Sequence, residues 1–361
     1  MIRQIEPWID NEEIQQLRCI AETTYVTEGP LTDEFEMRFR RFTGSSHAIA
    51  YVNGTLAEFA ILKAIGVGPG DEVIVPGMTF IATANAVILA GARPVLCDIE
   101  RNSIGLDPDL LESLITERTT AIVPVHLYGG MADIDRIRAI ADANGIAIAE
   151  DAAQAVGVRL RGKHAGTFGK AGYLSFYGNK TMTTGEGAVI LVDDPDIAEA
   201  CFRLKNHGRK VKGTFVHDQI GYNFCFTDVQ AAIGLAQFEK LPRIIHRKRQ
   251  IYDLYRQALT GLNGLSFQEY RPDVEFVPWF TNVFVDDASA LSDFLADRAI
   301  GSRRFFYPLT LQPCYATDIV ELTPCPESEW AFQHGLSLPS SVTLADSEIA
   351  EVCETIARFC H

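Results

Sequence analysis

The chain is short of positive charge. Its 361 residues carry 32 Lys and Arg against 47 Asp and Glu, a formal net charge of −15. A phosphodiester backbone needs a basic face, so this balance excludes nucleic acid as a partner, while a small nucleotide held at a local anion site stays possible. No apolar run of about 18 residues or more occurs, so no membrane-spanning helix is expected. The first residues, Met1-Ile2-Arg3-Gln4-Ile5-Glu6-Pro7-Trp8, lack the apolar core of a secretory leader. The eight cysteines (Cys19, Cys97, Cys201, Cys225, Cys314, Cys325, Cys353 and Cys360) are scattered, with no C-x-x-C pair and no zinc-ligand spacing. They read as reduced core or surface thiols, no metal is expected, and the expected location is the cytoplasm. Low-complexity tracts and internal repeats are absent too, which leaves an ordinary folded protein.

What is present is an alternation of strands and helices from about residue 45 to 240. Strands are expected over 72–76, 94–98, 121–128, 146–149, 174–177 and 188–192, and helices over 79–90, 107–115 and 133–144, the first and last of these closed by Gly91 and Gly145. Short continuous apolar strands between helices imply a mostly parallel sheet covered on both faces. The T-x-x-Q pattern of Thr227-Asp228-Val229-Gln230 predicts a capped helix start. Pro242 predicts a boundary, after which an amphipathic helix runs to about 260. Beyond it, strands near 280–285 and 302–306, a helix over 291–298 and a last helix from about 347 predict a small α+β domain. The expected division is a large domain over 1–241, whose first residues could pack on the small one, and a small C-terminal domain over 242–361, since 361 residues exceed one compact core.

Four segments carry candidate chemistry. Asn53-Gly54-Thr55 opens a helix, where free N–H groups and the helix dipole bind phosphate, although an ordinary Thr N-cap is the commoner reading of this segment alone. Glu150-Asp151-Ala152-Ala153-Gln154 lies at the C-terminal end of a buried strand, where open α/β sheets place ligands; Asp151 and Gln154 could hold a heterocycle, or Asp151 could be a cap. Asn179-Lys180-Thr181 sits in the Gly/Thr-rich run 175–187 after an apolar strand, a place where a lysine can be desolvated toward nucleophilic use. Gly221-Tyr222-Asn223-Phe224 reads by itself as a turn. Gly66-Val67-Gly68-Pro69-Gly70 precedes a strand and lacks G-x-G-x-x-G spacing, so it is a turn and no dinucleotide site.

In order and spacing these segments resemble the sugar aminotransferase branch of the fold-type I pyridoxal-phosphate (PLP) enzymes, the DegT/DnrJ/EryC1/StrS family. The resemblance extends over nearly the whole chain, through Gly70-Asp71-Glu72-Val73-Ile74-Val75-Pro76, Thr79-Phe80-Ile81-Ala82-Thr83-Ala84-Asn85, Pro124-Val125-His126-Leu127-Tyr128-Gly129 and Asn206-His207-Gly208. It implies an α/β fold with a seven-stranded, mostly parallel sheet between helices and a small C-terminal α+β domain. It implies PLP as cofactor, cycling through its amine form PMP. Lys180 then corresponds to the lysine that bonds PLP, Asp151 to the partner of the pyridine nitrogen, and Gln154 to the neighbour of the phenolic oxygen. Phe80 corresponds to the aromatic residue stacked on the ring, Gly54, Thr55 and Ser175 to the phosphate cradle, and Asn223 to a residue reaching the phosphate from the other subunit of a homodimer with shared sites. Glu186, in Thr183-Thr184-Gly185-Glu186-Gly187, is read as supporting its loop.

The activity implied is transfer of an amino group from L-glutamate to a keto sugar nucleotide, by way of PMP. C4 of a 4-keto-6-deoxyhexose is the expected position, with 3-keto amination and sugar dehydration as alternatives; dehydratases of the family carry His where this chain has Lys180. Two departures fall near the expected substrate pocket. Phe224-Cys225 stands where the family often has Tyr-Arg, and Pro308-Leu309-Thr310 has Thr where it often has His.

Overall fold

The structure, a computed structural model, describes residues 1–211, 213–316 and 319–360. Two helices, α1 (Asn11–Thr23) and α2 (Pro30–Thr43), lead into β1 (His47–Tyr51). The chain then alternates through α3 (Gly54–Ala64), β2 (Glu72–Pro76), α4 (Ala82–Ala90), β3 (Arg93–Cys97), α5 (Pro108–Leu114), β4 (Thr119–Ile122), α6 (Ile134–Asn144) and β5 (Ala147–Asp151). A short hairpin, β6 (Arg159–Leu160) and β7 (Lys163–His164), precedes β8 (Ala171–Ser175), β9 (Ala188–Val192) and α7 (Pro195–Lys205). Seven of these strands form one sheet in the order β1-β9-β8-β5-β4-β2-β3. All run parallel except β9, which pairs antiparallel with β1 and β8.

The strands are continuous apolar runs because both faces are covered. Val73 and Val75 of β2 point into the core that includes Ala57, Ile61 and Val87 of α3 and α4, while Ile74 points into the core that includes Phe35, Leu111 and Ile137 of α2, α5 and α6. Alternation within a strand thus sorts side chains between two cores and leaves none for solvent. The seven-stranded, mostly parallel sheet between helices is the expected one.

Some boundaries differ from the sequence expectation. The strand expected over 121–128 ends at Ile122, before Pro124, and the chain instead makes a tight turn at Leu127–Gly129 in which Tyr128 takes φ +55°. The helix expected from 79 starts at Ala82. The helix break expected at Pro242 is absent: α8 (Asp228–Leu259) runs through it as one helix of 32 residues, opened by the expected Thr227–Gln230 capping box. Proline removes one helical hydrogen bond, but tertiary packing holds both halves in line. On the N-terminal side Lys240 Nζ meets Glu13 Oε2 and Asp10 Oδ1, each at 2.8 Å. On the C-terminal side Ile251, Tyr255 and Leu259 enter a third core.

That core belongs to a four-stranded sheet. β10 (Leu265–Phe267) is followed by the short β11 (Val274–Glu275), which pairs with β6, and then by β12 (Asn282–Val285). After α9 (Ala288–Ala296) come β13 (Arg303–Arg304), α10 (Pro326–His334), β14 (Gly335–Ser337) and α11 (Asp346–Cys360). The sheet order is β10-β12-β14-β13, all antiparallel. The N-terminus joins it, since Ile2 N–H donates to Ala299 O at 2.9 Å and Gly301 N–H to Ile2 O at 2.8 Å. No helix among the described residues is long and apolar enough to cross a membrane.

Candidate active site

A cavity of about 390 Å³ opens at the C-terminal ends of β1, β5 and β8, the end at which parallel sheets gather ligands. Asp151, the last residue of β5, is buried beneath it. Thr83 Oγ1, from α4, donates to Asp151 Oδ2 at 3.0 Å, and the Ala153 N–H donates to Oδ1 at 3.0 Å. These bonds fix the carboxylate's plane while it still lines the cavity. Glu150, one residue earlier, points the other way and accepts from the Gly166 and Gly169 N–H groups and from His126, which anchors the strand end from behind.

Lys180 follows β8 on a turn in which its own N–H donates to Tyr177 O at 2.8 Å. The half-buried side chain enters the same cavity, with Nζ 4.3 Å from the centre of the Trp279 ring. Nζ makes no hydrogen bond to any described residue. Its pKa is lowered to about 8, chiefly by burial; the negative charge of Asp151 opposes the shift and the positive charge of Arg303 adds to it. An amine poised this near neutrality can serve as nucleophile, base and acid.

Opposite these groups the N-terminus of α3 supplies an anion site. Asn53 Oδ1 accepts from the Leu56 N–H at 3.0 Å, and the first helical bond runs from the Ala57 N–H to Asn53 O. The Gly54 and Thr55 N–H groups are left for a ligand, at the positive end of the helix dipole. Buried Ser175, the last residue of β8, lines the same wall. Phe80, 53% exposed, stands over the opening, its ring centre 6.0 Å from that of Phe306. Gln154 is buried, and its carboxamide oxygen accepts from the Tyr128 N–H at 2.8 Å.

The cavity therefore brings together Gly54, Thr55, Phe80, Asp151, Gln154, Ser175 and Lys180. Asn223 lies apart, in an outer groove with Tyr25, His207 and Arg209, where its side chain accepts from the Cys225 N–H at 3.3 Å. Phe224, Cys225 and Thr310 do not line the cavity of their own chain, so the two departures leave its lining intact. Phe224 stacks on Tyr222 with ring centres 5.0 Å apart, and Thr310 Oγ1 lies 3.4 Å from Glu329 Oε1. Sequence reading missed Tyr173, Trp279, Arg303 and Phe306, which complete the wall. Trp279 Nε1 donates to Asn179 O at 2.6 Å and so pins the turn that carries Lys180.

An amine, a fixed carboxylate, free N–H groups at a helix start and an aromatic cover suit a planar heterocycle that carries an aldehyde at one end and a phosphate at the other. PLP has this outline.

The family model for DegT/DnrJ/EryC1/StrS aminotransferases matches residues 7–357. A GDP-perosamine synthase from Vibrio cholerae is 36% identical over 373 residues, covering 99% of both chains. Among solved structures, DesV from S. venezuelae superposes with TM-score 0.93 at 32% identity, covering 97% of this chain and 95% of that one. The PLP form of Spr1654 from Streptococcus pneumoniae gives TM-score 0.93 at 28% identity, covering 100% and 99%. The chain belongs to the DegT/DnrJ/EryC1/StrS aminotransferase family and is a PLP-dependent aminotransferase.

Proposed function

We propose that this enzyme moves the amino group of L-glutamate onto C4 of a 4-keto-6-deoxyhexose carried on GDP. The observation that supports this reading most is the end-to-end match to a relative named GDP-perosamine synthase, in a chain whose cavity keeps both the lysine and the carboxylate that transamination needs.

In this reading Lys180 Nζ holds the cofactor covalently, Asp151 holds the proton on its ring nitrogen, and the Gly54 and Thr55 N–H groups with Ser175 hold its phosphate. Phe80 would cover the ring and exclude water from one face, and Gln154 would help hold its phenolic end. When bound, PLP supplies an electron-poor ring that stabilises negative charge on the substrate carbon. Lys180 Nζ would take the proton from the donor's Cα and return one at the carbon being aminated. Its pKa near 8 lets it act both as base and as acid. Asn223 serves the phosphate of a twofold-related chain, which makes the working enzyme a homodimer. Residues 1–241 form the cofactor domain of each chain and 242–361 the small domain.

The test is a panel of keto sugar nucleotides varied in base (GDP, dTDP, UDP) and in keto position (C3, C4), with L-glutamate as donor and products resolved by mass spectrometry and NMR. The GDP-linked 4-keto-6-deoxyhexose should give a kcat/KM at least about tenfold above the others. Preference for a 3-keto sugar, or for another base, would sink the corresponding part of the reading.

A further inference from the structure

One buried carboxyl beneath the cavity is not used by the reaction described above. Glu58 lies one turn along α3 from Gly54, facing the sheet, and is 1% exposed. Its neighbour Tyr173 belongs to the apolar core that also holds Ala60, Ile61 and Ala149. Glu58 Oε2 lies 3.1 Å from the Tyr173 hydroxyl, and Glu58 Oε1 has no hydrogen-bond partner among the described residues. Tyr173 stands on β8 directly across from Asp151 on β5. Its hydroxyl hydrogen-bonds to Glu58, and the Asp151 carboxylate lies close enough to act on it electrostatically. The tyrosine ring also explains the glycine above it: a Cβ at Gly54 would come 3.0 Å from Tyr173 Cε2, so a larger residue there has to displace the ring.

The hydrogens can be arranged in two ways. With Glu58 ionised, two buried carboxylates compete for one hydroxyl, and an anionic Oε1 has no donor, a large desolvation penalty. With Glu58 neutral, its own O–H donates to the Tyr173 oxygen, and the Tyr173 O–H donates to Asp151. Every hydrogen then has an acceptor, and a single negative charge sits at the cavity. The titratable groups acting on Glu58 are Asp151 from β5 and Tyr173 from β8, while Lys180 acts on Asp151 from the cavity side. Burial first, then the charge of Asp151, pushes the Glu58 carboxyl well above the usual range, in line with the neutral arrangement.

We propose that Glu58 is a positioning residue that, as a neutral acid, commits the Tyr173 hydrogen to the Asp151 carboxylate. The proposal rests on the reading of Asp151 as partner of the cofactor's ring nitrogen. Tyr173 becomes a third donor to that carboxylate, beside Thr83 and Ala153, and stabilises its anion so that the shared proton stays on the ring.

The test uses the full-length protein with and without PLP. Infrared difference spectra, wild type minus Glu58→Gln at neutral pH, should show the carbonyl band of one protonated carboxyl. Absorbance titration should find PLP bound about tenfold more weakly by Tyr173→Phe, the loss of one hydrogen bond to a charged group. Glu58→Leu, which suits the apolar core, should weaken PLP several-fold, and Glu58→Gln should restore affinity because its amide can donate to the tyrosine oxygen. No protonated carboxyl, unchanged affinity in Tyr173→Phe, or equal effects of Leu and Gln at position 58 would overturn the proposal. Asp151→Asn separates it from the reading beneath it. Near wild-type turnover in that variant removes the role of Asp151, and the proposal with it, whereas lost turnover combined with no infrared band removes only the role of Glu58.

Discussion

Trp279 stands between two lysines of different use. Lys248, on α8, is buried, and its Nζ donates to the Trp279 carbonyl at 2.8 Å and to the Ser340 carbonyl at 2.7 Å. Lys180 approaches the ring of the same tryptophan and makes no hydrogen bond to the described residues. Burial lowers both pKa values, to about 7 for Lys248 and about 8 for Lys180. A lowered pKa therefore does not mark the lysine proposed to react. What marks it is an amine with no committed acceptor, a carboxylate nearby, and a cavity in front of it. Lys248 is a satisfied core lysine that joins α8 to the segments carrying Trp279 and Ser340.

The largest effect expected is that of Lys180→Ala. It should lower kcat by at least about 10³-fold and abolish the visible absorbance of bound PLP, read by steady-state kinetics and spectroscopy. Retention of both would break the comparison, since the open lysine would then matter no more than the closed one.

A smaller loss, on the order of 10–100-fold in kcat/KM, is expected for Asn223→Ala, the removal of one phosphate contact. This variant sharpens the contrast in another way, because Lys248 finds both acceptors in its own chain while the site of Lys180 is proposed to borrow from a second. Mixing Lys180→Ala and Asn223→Ala chains, with exchange verified by mass, should raise activity above either alone. One site of each mixed dimer then holds both intact residues. Verified exchange with no gain in activity defeats the shared site.

The smallest effect on activity belongs to Lys248→Met, with kcat within about twofold of wild type. Its signature is in stability. The unfolded lysine keeps its proton up to near 10.5 while the folded one releases it near 7. Between these values the unfolded state binds more protons, so stability rises with pH. Wild type should gain on the order of 2 kcal/mol over the variant between about pH 7 and pH 9, measured by denaturant unfolding. An equal slope in both proteins would show that Lys248 is not held neutral.

Much of this was legible in the residues alone. Runs such as Glu72-Val73-Ile74-Val75-Pro76 and Ala188-Val189-Ile190-Leu191-Val192 declare strands covered on both faces, and the capping box at Thr227 places the start of α8 correctly. Asp151 and Lys180 were visible because each follows such a strand at its ligand-facing end. Pro242 misled because the proline rule is local, whereas the contacts that carry α8 past it come from Asp10 and Glu13, more than two hundred residues earlier. Trp279 and Arg303 reach the cavity only once the C-terminal sheet is docked, and nothing in their own neighbourhood signals a site. Glu58 was hidden differently. In sequence it is a single acid on an apolar helix, ordinarily a solvent-facing position, and only the packing of α3 on β8 brings the Tyr173 hydroxyl to it.

The unbroken course of α8 also bears on how the enzyme can move. At its first turn Gln230 Nε2 holds the Glu186 carbonyl of the cavity loop at 2.8 Å, and near its far end Tyr255 donates to the Pro339 carbonyl at 3.0 Å, just past β14. The helix is thus a stiff axle running from the rim of the reaction chamber to the C-terminal sheet. An axle without a joint does not fold at its middle. Any opening that admits the proposed sugar nucleotide has to come from the loops that reach over the chamber, such as the one bearing Phe80, or from the proposed second subunit, and the distance between the ends of α8 should stay fixed through the catalytic cycle.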